Sequence, residues 1–301
     1  MIFNFTNEGV LILQQDKVIV LPFLSNTNIE NAASKLNLAF KDAEENFPED
    51  DDNDVYVEFS NELKNLISNI HGESQLIELF AQDEKILDKK YLTDGVNSIK
   101  QNCLKLTKTI NNMIELRNFE KKQTCLLVNN ANIVEIIDNI VINVSTYIKE
   151  RIIFDTNIEE KFMPFDINKF QKAILIILSI AVRYSDKKGI LVNLNVFENN
   201  ITITVSFNNK NSELINFIKY KMDNLMPDNL DELSISLYLC KALIALHEGS
   251  ISVVGNTHET IFTIELPCEN TDSIYYLFMN VIKNEYLAEQ IQIEFSDLYE
   301  I

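Results

Sequence analysis

The sequence predicts an α+β protein: a helical hairpin followed by an α/β sandwich, with a small N-terminal hairpin-helix segment ahead of both. Three observations carry this. Between residues 55 and 122 apolar residues recur at alternating steps of four and three, the spacing of a helix seam. Beyond Gln123, helical spacing alternates with short β-branched runs bounded by turn residues. The stretch EENFPEDDDND, residues 44–54, reads as a solvated linker whose charges repel one another. These mark three regions: 1–54, 55–122 and 123–301.

Within the first region GVLIL and VIVLPF flank a QQDK turn and predict a hairpin, and a short helix is expected over Ile29–Glu45. In the second, Phe59, Leu63, Leu66, Ile70, Ile77 and Phe80 form one stripe. After the polar break AQDEKILDKK, Leu92, Val96, Ile99, Cys103, Leu106, Ile110 and Met113 form another. Two such helices cannot enclose their own seam, so a four-helix bundle made by a homodimer is the simplest closure. In the third, TCLLV predicts a strand, residues 133–150 an amphipathic helix, RIIFDT a strand and residues 167–185 a long apolar-faced helix. GILVNLNVFE and NITITVSF predict paired strands. LSISLYLCKALIALHEG predicts a helix ended by Gly249, and SISVVG with ETIFTIELP a final hairpin. Helices on one face of a mixed sheet is the natural architecture.

Composition narrows the function. The 301 residues include only six glycines, where average usage of about 7% would give roughly twenty. No two stand close enough to form G-x-G, so a P-loop and a dinucleotide fingerprint are absent. A net charge of −19 argues against nucleic acid and against an anionic membrane surface. The longest largely apolar run, Ala173–Val182, has the size of a buried helix rather than a membrane span, and the N-terminus lacks the basic start of a secretory signal. Cys103, Cys125, Cys240 and Cys268 have no metal-ligand spacing and are expected reduced and buried. A cytoplasmic, acidic protein with no metal is the expectation.

In this order the elements resemble a bacterial sensor histidine kinase of clostridial type from residue 55 to the end. IKQNCLKLTKTINNMIELRNFE is similar to the second helix of the family's dimerisation and phosphoacceptor hairpin. NIVEIIDNI, IIFDTNIEEKFMPFDINKFQKAILIILSIAVRYS and LYLCKALIALHEGSI resemble its ATP-binding domain, and IQIEFSDLYEI its tail. The resemblance implies a response regulator or another histidine kinase as partner, in two-component or phosphorelay signalling. Sporulation control is what a clostridial setting would suggest. Residues 1–54 then read as a sensor remnant or docking cap, too short for a complete sensor domain.

The residues that would carry the chemistry depart from the family. Its phosphoacceptor histidine, in a motif of the form H-E-L-R-T-P-L, corresponds to Asn61 in NELKNLI, and its proline to Leu66. A carboxamide has no basic nitrogen to phosphorylate. His71 lies nearly three turns away and reads as structural. The asparagines that hold Mg²⁺ and triphosphate correspond to Ile176 and Ile180, which cannot ligate a hard cation. The D-x-G-x-G stretch corresponds to FNNKN, with Phe207 at the adenine-reading aspartate and Asn209 and Asn211 at the glycines; a one-residue slip puts Asn208 there instead. Glu232, Ser234 and Ser236 replace the glycines of the ATP lid. No nucleotide or other cofactor is therefore expected.

What survives is Glu62 and Asn65 on one helical face. The resemblance makes such an acid-x-x-amide pair support water attack on a response regulator's aspartyl phosphate. Exposed candidates for docking that partner are Ser60, Asn61, Lys64, Asn65 and Ser68. The leading expectation is a catalytically inactive, histidine-kinase-like protein that binds a response regulator or a partner kinase. The alternative is a response-regulator phosphatase using Glu62 and Asn65, and behind it an atypical active kinase.

Overall fold

The computed structural model describes residues 2–6, 9–14, 17–22, 63–75, 77, 89–197, 200–210, 214–223, 232–268 and 284–298. The chain divides into two compact units, residues 1–53 and 54–301. In the first, β1 (Ile2–Thr6), β2 (Gly9–Gln14) and β3 (Lys17–Pro22) form an antiparallel sheet in that order. The β2–β3 hairpin is the one its sequence predicts; β1 adds an unforeseen third strand. The helix expected over Ile29–Glu45 lies outside the described residues.

Among the described residues of the second unit, a helix over residues 63–75 (α1) and the long α2 (Lys89–Glu120) come first. They meet closely at Gly95: a Cβ there would stand 3.0 Å from the Ile77 side chain, and Ser98 donates a hydrogen bond to Glu73 at 3.3 Å. Leu63 and Leu66 are buried, whereas Val96 is exposed and Ile99, Cys103, Leu106, Ile110 and Met113 are half-buried, so the seam is only part covered within one chain.

The five-stranded sheet runs β5 (Ile152–Thr156), β7 (Ser185–Phe197), β8 (Asn200–Asn209), β10 (Glu259–Pro267), β9 (Ser250–Gly255), with β5–β7 parallel and the rest antiparallel. Period-two alternation sorts its faces. The row Leu194, Ile203, Ile264, Ile251 is buried, while the adjacent outer row is Asn193, Thr204, Thr263, Ser252. Onto the apolar face pack α4 (Ile167–Tyr184) and α6 (Glu232–Leu246), joined in one core by α3 (Ile133–Ile148) and α7 (Asn284–Glu294). A short helix α5 (Leu214–Asp223) sits beside β9. The two-layer arrangement is the predicted one.

Local chemistry explains the termini of these elements. Asn132 caps α3 by accepting from the Val134 N–H, and Asp166 caps α4 by accepting from the Lys169 N–H. The other Asp166 oxygen accepts from the Leu127 N–H at 2.8 Å. His247 joins α6 to this cap: its Nδ1 donates to the Leu243 carbonyl at 2.7 Å, and its Nε2 accepts from the Asp166 N–H at 3.2 Å.

Three expectations need correction. TCLLV is not a strand; Leu127 and Val128 are exposed, and the strand β4 falls on Asn129–Asn132, pairing with β6 (Phe162–Phe165). An apolar β-branched run pairs only where an edge is offered, and β6 offers its edge one step later. Gly249 does not end α6 through a left-handed backbone. Glu248 holds that conformation (φ 58°), and the Gly249 N–H bonds the Ile244 carbonyl beyond it. Glycine is needed at 249 because a Cβ would lie 2.6 Å from the Glu265 carbonyl oxygen and the Leu266 side chain. The cysteines are all free, but only Cys240 and Cys268 are buried, with Cys103 half-buried and Cys125 exposed.

Candidate functional site

Residues 63–75 carry the docking candidates that the structure describes. Lys64, Asn65 and Ser68 are exposed on α1, with the Ser68 hydroxyl donating to the Lys64 carbonyl at 2.8 Å. Ser60, Asn61 and Glu62 lie outside the described residues, as does Asn211. His71 is half-buried, and its Nδ1 has no hydrogen-bond partner among the described residues.

The positions matched to nucleotide ligands separate into two groups. Ile176 and Phe207 belong to the hydrocarbon core, at 1% and 3% exposure. Phe207 stacks on Phe262 with ring centroids 6.5 Å apart, and in the sheet it stands opposite Ile190 and Thr260. Asn209 is held at the strand end: its amide donates to the Asn256 carbonyl at 3.0 Å and accepts from the Thr260 hydroxyl at 2.7 Å. Asn208 is exposed.

The second group meets at the N-terminus of α6. Ile180, Glu232 and Ser236 line one small cavity with Lys108, Arg183 and Tyr184. It leaves about 10 Å³, the room of a single water. Ser234 is buried one step along the same helix. At this junction stands a cluster of charges that the sequence did not announce. The Lys108 ammonium, 6% exposed, lies 2.9 Å from Glu232 Oε1, 2.7 Å from Asp297 Oδ2 and 3.4 Å from Glu294 Oε1. It also donates to the Glu294 carbonyl at 3.2 Å. The Arg183 guanidinium reaches Glu232 at 3.6 Å and Asp297 at 3.5 Å.

Burial by itself would neutralise these groups, and the pairing decides otherwise. Burial lowers the Lys108 ammonium, but Glu294, Glu232 and Asp297 more than reverse this and hold it charged. Burial raises Glu232, yet the hydrogen bond from Asp297 and the charges of Lys108 and Arg183 bring it well below the carboxylate range. Asp297 goes the other way. Burial and its hydrogen bond with Glu232 push it up to about 6, against the pull of Lys108. Lys108, Arg183, Glu294 and Asp297 were missed because their partners lie up to 189 residues away. Nothing local in the sequence marks them.

A roomier open cleft of about 580 Å³ lies between α3 and β5, lined by Glu135, Asp138, Phe154 and Glu159 among others, and holds none of the predicted site residues. No helix among the described residues is long and apolar enough to cross a membrane, and no group of side chains among them is arranged to hold a metal ion.

No family model matches the chain, and no curated protein matches it in sequence. Solved structures do. The Acinetobacter baumannii histidine kinase AdeS superposes with a TM-score of 0.52 at 16% identity, over 69% of this chain and 98% of that one. The histidine kinase ThkA, in its crystal structure in complex with the response regulator protein TrrA, superposes with a TM-score of 0.53 at 16% identity, over 89% of this chain and 78% of that one. The fold is therefore histidine-kinase-like, a helical hairpin with an ATPase-like α/β domain.

Proposed function

We propose that this chain is a pseudokinase: a histidine-kinase-like binding protein that engages a response regulator or a partner kinase and modulates phosphate flow in a two-component or phosphorelay pathway. One observation carries the reading. Where the resemblance places the Mg²⁺ and adenine ligands, Ile176, Ile180 and Phe207 are at most 4% exposed and packed against other side chains. Aliphatic and aromatic groups so placed offer no oxygen to a metal and no acceptor to a base. Asn61 removes the phosphoacceptor nitrogen as well. The hairpin keeps its apolar stripes, and the complex that ThkA forms with TrrA supports a response regulator as the kind of partner. Lys64, Asn65 and Ser68, with Ser60 and Asn61 before them, are the proposed docking residues. Binding there would sequester the regulator, and pairing through the hairpin would give an unproductive heterodimer with a working kinase.

A second reading is favoured by the exposure of Asn65. With Glu62, three residues before it in the sequence, it would position water against a regulator's aspartyl phosphate. A single experiment separates the two: purified protein is incubated with Mg-ATP and, separately, with phosphorylated regulator, while the phosphoryl group and thermal stability are followed. The pseudokinase reading expects no label, no thermal shift with Mg-ATP, and a complex without turnover. Faster loss of regulator phosphate, abolished by Asn65→Ala, replaces it with the phosphatase. Label on the protein, or a clear thermal shift with Mg-ATP, refutes it.

A further inference from the structure

The charge cluster at the N-terminus of α6 joins stretches of chain that are remote in sequence. Lys108 comes from α2, Arg183 from the end of α4, Glu232 from the first turn of α6, and Glu294 and Asp297 from the C-terminal segment. That segment crosses α2 over two turns, because the Gln101 amide also donates to the Ser296 carbonyl at 3.1 Å. Its other side is anchored in the core by Leu287, Ile291 and Phe295, each at most 1% exposed. It therefore lies as a strap between the hairpin helix and the sandwich.

The strap helps bring three carboxylates, Glu232, Glu294 and Asp297, onto one buried ammonium, with Arg183 at 3.5–3.6 Å from two of them and Lys105 at 3.9 Å from Asp297. Carboxylates crowded into a buried junction repel one another, and a proton on one of them removes that repulsion. Glu232 and Asp297 are placed to share that proton: they are hydrogen-bonded to each other, and an oxygen of each rests on the same ammonium at 2.9 and 2.7 Å. We propose that residues 284–298 form an acid-tightened strap: a proton held between Glu232 and Asp297 closes it on α2, and loss of that proton loosens the hairpin helix from the sandwich.

The direction follows from linkage. Asp297 is raised to about 6 in the closed strap by burial and by its bond with Glu232. Its contribution is thus fully present below its ordinary range and lost as pH rises through about 6. Glu232, held low, stays ionised throughout that window. The groups facing Asp297 are Lys105 and Lys108 from α2, Arg183 from α4 with Tyr184 beside it, Glu232 from α6, and Glu294 from α7, which in turn faces the Cys240 thiol. None of the chain's three histidines lines the cluster.

The test is hydrogen exchange of the full chain at pH 5.0 and 7.5, corrected for intrinsic rates, with β8 and β10 as internal reference. Protection of peptides covering 101–112 and 287–298 is expected to rise about tenfold at pH 5.0, the effect of one proton across this window. Asp297→Asn, neutral at every pH, is expected to show the acid level of protection already at pH 7.5 and to lose the pH response. Glu232→Gln removes the like charge beside Asp297 and must flatten the response too, which keeps the test intact if one variant fails to fold. His71→Gln must leave the response in place. An unchanged response in both carboxamide variants, its loss in His71→Gln, or lower strap protection at pH 5.0 overturns the proposal.

Discussion

Around Ile176 and Phe207 the sandwich is closed by hydrocarbon, whereas at Glu232, one face of α4 away, it is closed by charge. Both places answer to positions where the resemblance expects nucleotide ligands, yet they obey different physics. The hydrocarbon closure draws its energy from area removed from water and is indifferent to pH. The ionic closure gains only what mutual attraction leaves after desolvation, and it depends on every partner being present. One is robust to losing a neighbour; the other is not.

The strongest test of that difference removes the hub. Lys108→Met leaves Glu294 and Asp297 buried without their principal cation, and we expect a loss of about 3–5 kcal/mol in urea unfolding. A loss below about 1 kcal/mol would mean that water reaches the cluster and the two closures are alike.

The hydrocarbon side is broken by introducing an amide. Ile176→Asn puts an unpartnered carboxamide into a site 1% exposed and should cost about 3 kcal/mol. Ile180→Asn should cost less, because Ile180 borders the small polar cavity where an amide finds Ser179 and Glu232 within reach. Thermal melts of the two variants rank them, and an equal cost would erase the boundary drawn between the two closures.

This boundary also separates what the sequence reveals from what it hides. The aliphatic residues at 176 and 180 and the aromatic at 207 are visible as departures from the family the sequence resembles, and the alternation in NITITVSF foretells which of its side chains point inward. Charge pairing leaves no periodic trace. Lys108 looks like any solvated lysine on a helix until α7 and the turn after it bring Glu294 and Asp297 against it, and nothing local marks residues 284–294 as a packed helix. Gly249 was legible as a helix terminator but for the wrong reason, since its constraint comes from β10, not from its own backbone angles.

The end of α6 lies outside both closures and so serves as a reference for them. Gly249→Ala drives a methyl group to 2.6 Å from the Glu265 carbonyl oxygen, a clash with backbone that cannot yield cheaply. We expect a loss of about 1–3 kcal/mol by denaturant unfolding, the cost of overpacking. A cost near zero would show that β10 shifts freely and that the sandwich is looser than its buried rows imply.

The smallest effect has the opposite sign. Glu248 holds a left-handed backbone (φ 58°) that costs an ordinary residue about 1 kcal/mol or more, while glycine adopts it without strain. Glycine also loses more freedom on folding, by roughly 0.5–1 kcal/mol, so the two terms nearly cancel. Glu248→Gly should therefore stabilise the chain by no more than about 0.5 kcal/mol. Because Glu248 has no part in the ionic cluster, this gain must be the same at pH 5.0 and 7.5, while the Lys108 variant keeps an acid response, since Lys108 opposes protonation of Asp297. A gain that varied with pH would tie the α6 terminus to the ionic closure at its other end, and α6 would then transmit the strap's state along its whole length.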